Sequence, residues 1–213
     1  MILYRPTDGD VLSASLTLLP KTCFLMTQLG TPIPKGIKKT RKRVTDQLRK
    51  KHIKVVDADS VVTGKDFLDK IWRIIITVPV GVAIIHEDMP PKTVANVFYE
   101  IGMMDALGKR TVVVKSPGAA VPSDFVRTEY INDDAKFGQR FRSFLDSVLE
   151  QESYFETVGE DLENNPLLAI DYLRRAYLIS GDKRHQARVQ ELLESAGIED
   201  RAKNSVEKLL ARF

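Results

Sequence analysis

Two uninterrupted apolar runs of strand length, Val80-Gly81-Val82-Ala83-Ile84-Ile85 and Thr111-Val112-Val113-Val114, flank a segment long enough for a helix. Runs without polar alternation suit strands buried on both faces, as in a parallel sheet covered by helices. Between them lie the acidic loop His86-Glu87-Asp88, the break Pro90-Pro91 and a helix reading Asn96-Val97-Phe98-Tyr99-Glu100-Ile101-Gly102, closed by Lys109 and Arg110. Ligands of open α/β sheets sit at the carboxyl ends of strands, beside helix N-termini. His86, Glu87, Asp88, Asn96 and Glu100 therefore form the first candidate cluster, with Glu100 read near the start of its helix.

The rest of the chain repeats this rhythm. A first strand is expected at 22–27, broken by Gly30, Pro32 and Pro34, then a helix over 35–52 and a second strand over 53–56 ending in Asp57 and Asp59. Gly64 opens a second helix, in which Phe67, Leu68, Ile71, Trp72 and Ile75 keep helical spacing. A turn-rich loop from Ser116 to Asp124 precedes a short fifth strand at about 128–131. Strands alternating with helices predict an α/β fold with right-handed crossovers. The expected architecture is a flavodoxin-like parallel sheet of four or five strands with a C-terminal helical appendage, its switch point between strands one and three.

The tail reads differently. A helix is expected from 135 to 155, a break at Gly159, and helices at about 166–180, 183–196 and 200–212, with Gly181 and Gly197 as helix-ending glycines. Three parts follow: an N-terminal arm (1–21), the α/β domain (22–155) and the helical appendage (160–213). The short helices look like tetratricopeptide-style hairpins; the plainer reading is a cap that covers a sheet edge or builds a homodimer.

Composition narrows the function classes. A net charge of +3 does not by itself imply nucleic acid or membrane. The lone Cys23 lies in an apolar run, which excludes an intrachain disulfide and suits a reducing cytosol. The longest apolar stretch, 74–85, contains Pro79 and is too short to span a bilayer, and no signal peptide is evident, so a cytoplasmic protein is expected. Nine basic residues stand between Lys35 and Lys51 against the single acid Asp46. A solvated face is the default reading of that block, and no interleaved aromatics support base stacking. There is no dinucleotide fingerprint, phosphate-binding P-loop, nucleophile elbow or zinc-ligand spacing, so neither metal nor cofactor is expected.

The chemistry of the cluster centres on Glu100. A carboxylate in the first turns of a helix is held ionised by the helix dipole, and can then attack an anomeric carbon or stabilise an oxocarbenium-like transition state. Asp88 or Glu87 would supply a second acid for the leaving base. His86 orients a ligand or simply bonds a loop, and Asn96 caps the helix or holds a ribose hydroxyl. Asp57 and Asp59 stand where an acid often receives ribose hydroxyls, or serve as turn residues. The loop Thr27-Gln28-Leu29-Gly30-Thr31 is suited to wrap a phosphate or ribose.

These residues carry a resemblance. Phe24-Leu25-Met26-Thr27-Gln28-Leu29-Gly30 is similar to "F-V-M-P-F-G", and Asn96 to Gly102 with Ala106-Leu107-Gly108-Lys109 resembles "N-V-x-Y-E-L-G-x-A-x-A-L-G-K" before a strand. Both mark nucleoside 2-deoxyribosyltransferase-like proteins and the related bacterial Toll/interleukin-receptor-like nucleotide-binding proteins. The similarity covers 22–131. It implies that Glu100 is the sugar-directed nucleophile and that an N-glycosidic bond in a nucleoside, nucleotide or NAD is cleaved or transferred. Thr27, Gln28, Gly30, Asp59, His86, Asn96 and Tyr99 would line the ligand. The chain departs from the pattern where strand three ends Ile84-Ile85-His86 rather than in "A-D", and where Thr27-Gln28 replaces Pro-Phe. A non-catalytic sensor of a nucleotide signal, acting through the tail in bacterial defence, is the rival reading. A third is an interaction protein in which Glu100 only completes a helix.

Overall fold

The computed structural model describes residues 8–9, 16–59, 67–122, 129–162 and 165–195. Five strands and six helices follow in order: β1 (Thr22–Met26), α1 (Lys35–Lys50), β2 (Lys54–Val56), α2 (Phe67–Thr77), β3 (Val80–Ile85), α3 (Pro91–Ala106), β4 (Arg110–Lys115), β5 (Glu129–Asn132), α4 (Phe137–Asp161), α5 (Pro166–Ser180) and α6 (Arg184–Ser195). The sheet order is β2-β1-β3-β4-β5 and every pairing is parallel. This is the flavodoxin-like order. Its switch point lies between β1 and β3, which pair from Cys23 against Val80 to Met26 against Ala83.

Side-chain alternation sorts the strands onto two faces. Cys23, Leu25, Val82, Ile84, Val112 and Val114 pack with Val44 and Leu48 of α1 and with Phe137, Phe141 and Phe144 of α4. Phe24, Met26, Ala83, Ile85 and Val113 pack on the other face with α2 and α3. β3 is buried along its whole length, so the uninterrupted apolar run at 80–85 is explained by helices on both sides. The three phenylalanines of α4 pack as a column, with ring centroids 5.2 and 6.1 Å apart. Each such buried ring contributes about 1.5–3 kcal/mol.

The basic block on α1 is partly committed to the fold. Arg41 pairs with Asp57 after β2; Arg43 and Thr40 both bind Asp133 after β5; Lys51 Nζ lies 2.5 Å from Asp146 of α4. Lys35, Lys38, Lys39, Lys42, Arg49 and Lys50 remain on the exposed face. The solvated-face reading therefore holds for only part of the block.

The tail departs from expectation at Gly159. α4 runs unbroken through it, across the boundary expected near 155–160. Gly159 is buried, and a Cβ there would come within 2.9 Å of Leu173 Cγ and 3.4 Å of the Ala169 carbonyl on α5. The missing side chain serves helix–helix approach rather than a break. α5 begins as expected, with Asn165 accepting from the Leu168 N–H, and ends at Gly181 in the left-handed region (φ 66°). Ala169, Ile170 and Leu173 of α5 pack with Val189 and Leu192 of α6. The fourth expected tail helix, Gly197 and Gly64 lie outside the described residues. Of the arm, residues 16–21 dock: Leu19 N–H binds the Thr77 carbonyl at the end of α2, and Lys21 N–H binds Leu178 of α5. No helix among the described residues is long and apolar enough to cross a membrane.

Candidate functional site

The residues after β1 and β3 inherit the alternation of their strands. Cys23 and Leu25 face α1, so Thr27 falls on that face too, at the carboxyl end of the sheet. Thr27 is 7% exposed, and its hydroxyl has no hydrogen-bond partner among the described residues. Next to it, Gln28 donates from Nε2 to the Pro32 carbonyl at 3.5 Å while its Oε1 is buried without a partner among the described residues. Gly30 takes φ +83°, and the chain then enters α1 through Pro34, which offers no side-chain cap; no acid stands in the first turn. The first N–H groups of α1 thus face the loop without a capping carboxylate or hydroxyl.

His86 follows Ile84 onto the α1 face, and its ring lies against Gly36 in the first turn of α1. Its Nδ1 accepts from the Asp88 N–H at 3.2 Å and lies 3.4 Å from the Asp88 carboxylate. Glu87 accepts a hydrogen bond from Ser116 Oγ, after β4, and that bond foremost holds its carboxyl below the usual range. Asp88 is exposed. Asp57 is clamped by Arg41, whereas Asp59 is exposed.

Glu100 is placed differently from expectation. α3 starts at Pro91 with Pro90 as N-cap, so the dipeptide read as a break is the helix start; proline is favoured at the first helical position. Glu100 is the tenth residue of α3, about 14 Å along the axis at 1.5 Å per residue. The dipole effect fades beyond the first turn, and burial decides instead. Glu100 is 9% exposed, and desolvation pushes its carboxyl up to about 7. The expectation of a carboxylate kept ionised by the dipole is therefore corrected in sign. For the same reason Asn96, the sixth residue of α3 and exposed, does not cap the helix. Asn96 and the half-exposed Tyr99 flank Glu100 one turn and one residue earlier.

The switch-point edge thus gathers Thr27, Gln28, His86, Glu87 and Asp88, while Glu100 lies further down α3, on the face that carries α2. Reading the sequence missed Ser116 as the partner of Glu87 and Arg41 as the partner of Asp57; neither pairing has a sequence signal, because each joins elements distant in the chain. Trp72 of α2, expected only from its helical spacing, has an indole N–H buried without a hydrogen-bond partner among the described residues. Among the described residues no group of three or more His, Cys, Asp or Glu side chains is placed to hold a metal ion.

No protein-family model matches the chain, and no curated protein matches it. What stands of the resemblance is the five-stranded parallel α/β sheet itself.

Proposed function

We propose that this protein binds a nucleoside, nucleotide or NAD at the β1–β3 edge and cleaves or transfers at its N-glycosidic bond, with Glu100 meeting the anomeric carbon. The observation that carries this reading is Glu100, a residue 9% exposed whose carboxyl has no hydrogen bond or ion pair among the described residues and is pushed up to about 7 by desolvation. Burying such a group unpaired costs several kcal/mol, and groups kept at that cost with a shifted pKa cluster at functional sites.

The chemistry follows from where protons sit. Ionised Glu100 attacks or electrostatically supports C1′ as the C1′–N bond breaks and its electron pair goes to the ring nitrogen. Water then adds at C1′, displacing the Glu100 carboxylate wherever an ester has formed, and loses its proton to solvent. Glu87, held ionised by Ser116, is a poor proton donor for a leaving base. A pyridinium leaves as a neutral base and needs no donor, which favours NAD among the three ligand classes. The ring's positive charge would also stabilise ionised Glu100. The sugar would reach Glu100 along the flank of α3 bearing Asn96 and Tyr99, with Thr27, Gln28 and Gly30 holding the polar end and His86 and Asp59 at the rim.

The test is chromatographic release of free base from NAD, nucleosides and nucleoside monophosphates, with Glu100→Gln as control. Base release in the wild type that is lost in the variant supports the assignment; unchanged release refutes it. One observation favours a sensor instead. Leu19 and Lys21 hydrogen-bond α2 and α5, and the Lys21 carbonyl accepts from Lys54 beside β1, so the tail is tied to the sheet. Tight nucleotide binding by calorimetry without product would select that reading.

A further inference from the structure

The cations of α1 and its C-cap divide by what they face. Those turned toward the rest of the fold are paired: Arg41 with Asp57, Arg43 with Asp133 and Lys51 with Asp146. Lys35, Lys38, Lys39, Lys42, Arg49 and Lys50 are exposed. At 3.6 residues per turn these six fall within an arc of about 120°, a single stripe about 22 Å long. Asp46 is the one acid on it, and it lies 3.7 Å from Arg49. Among the described residues no carboxylate pairs with the five lysines of the stripe.

This arrangement works against the helix that carries it. Lys35 and Lys39, like Lys38 and Lys42, are like charges four residues apart, and Lys35–Lys38 and Lys39–Lys42 are three apart; such neighbours destabilise a helix. Lys35 and Lys38 also stand at the positive end of the helix dipole, where no acid in the first turn offsets them. Acids are nearly as numerous as Lys and Arg in the whole chain, 29 against 32, so the stripe is a local excess rather than a reflection of net charge. A polyanion laid along it would turn these repulsions into attraction.

The side chains around the stripe narrow the choice of polyanion. Ile37, Val44 and Leu48, the apolar face of α1, are buried in the core, so the helix has no apolar side left to insert into a bilayer. No aromatic residue stands between Lys35 and Lys51, so the bases of a single strand would find no stacking platform. A duplex backbone requires neither. It presents one phosphate charge per about 1.7 Å of axis and is bound by lysines as point charges.

We propose that the exposed face of α1 binds the phosphate backbone of duplex nucleic acid without reading its sequence. Lys38, Lys39 and Lys42 form the centre of the contact, with Lys35 and Lys50 toward its ends. The surface is distinct from the β1–β3 edge and does not depend on the activity proposed there.

The test is fluorescence anisotropy of the full chain with labelled DNA and RNA duplexes of about 20 base pairs and mixed sequence, titrated from about 50 to 200 mM salt. Affinity should fall about a hundredfold over that range, as release of about four counterions requires. The triple variant Lys38→Gln, Lys39→Gln, Lys42→Gln should reduce the slope of log affinity against log salt by about three. Its melting temperature should not fall, because glutamine is a comparable helix former and the repulsions are gone. Lys92→Gln, at an exposed cation on α3 across the sheet, should leave the slope unchanged. Binding of either duplex with these slopes supports the proposal, and the ratio of the two affinities identifies the preferred backbone. Absence of binding at the lowest salt, a slope unchanged in the triple variant or tighter binding of a single strand overturns it. So does preference for phosphatidylserine vesicles, or displacement of the duplex by polyglutamate as readily as by unlabelled duplex.

Discussion

The imidazole of His86 occupies the space that a side chain at Gly36 would need. A Cβ at 36 would overlap Nε2 and stand 2.7 Å from Cε1. Two residues fifty positions apart are thereby locked across the switch point, one after β3 and one in the first turn of α1. Because the obstacle is the end of a rotatable side chain, Gly36→Ala should displace the ring rather than the backbone. Alanine is also the better helix former by about 0.5–1 kcal/mol, so the melting temperature should change little. The His86 proton resonances should shift, and nucleotide affinity should change several-fold. An unshifted His86 spectrum would show that the contact is slack.

Thr27 offers a test that separates stability from function. Its buried hydroxyl has no partner among the described residues, and leaving such a group unsatisfied costs about 1–3 kcal/mol. Thr27→Val keeps the shape and removes the hydroxyl, so the variant should be more stable by about 1 kcal/mol in urea denaturation. If the hydroxyl serves a ligand, the same variant should bind nucleotides more weakly. Gains in both stability and affinity would dissociate Thr27 from the site.

Glu100 predicts a pH dependence of known sign. Its folded-state pKa, about 7, lies above the ordinary 4.5, so the folded protein holds this proton more tightly than the unfolded chain. Its contribution is fully favourable below 4.5 and is lost as the pH rises from 4.5 through 7. The loss amounts to about 3 kcal/mol by pH 8. Glu100→Gln lacks that penalty. It should exceed the wild type in stability at pH 8 by up to that amount, with the gap closing toward pH 5. Urea titrations at both pH values measure it, and a gap that does not vary with pH would mean the carboxyl is solvated.

Gly159 carries the contact between α4 and α5. In Gly159→Ala the new methyl would meet Leu173 Cγ at 2.9 Å and Cδ2 at 3.1 Å inside a packed seam. Overpacking of this kind costs about 1–3 kcal/mol, more than the helix-propensity gain returns. Chemical denaturation should show a loss despite the better helix former. A stabilised variant would mean that α5 stands further from α4 than described.

Much of the frame was legible in the chain because it depends on local pattern. The buried run 80–85, the helix at 166–180 and the left-handed Gly181 all follow from spacing and from what glycine permits. The site was legible only in part. Thr27, His86, Glu87 and Asp88 fall at strand ends, which topology alone predicts. Glu100 was misplaced within its helix because Pro90-Pro91 was read as an interruption, although proline at the first helical position marks a beginning. Gly159 was misread for a related reason: a glycine signals either conformational freedom or close approach, and sequence spacing does not distinguish them.

What the amino-acid sequence determined by itself was the alternation of strands and helices, the parallel sheet and the residues at its carboxyl edge, because hydrophobic period and helix-ending chemistry act over a few neighbouring residues. Tertiary structure alone decided the ionisation of Glu100 and the restraint of Glu87 by Ser116. Burial and charge pairing depend on groups brought together from distant parts of the chain, and the energy of a buried charge depends on what surrounds it.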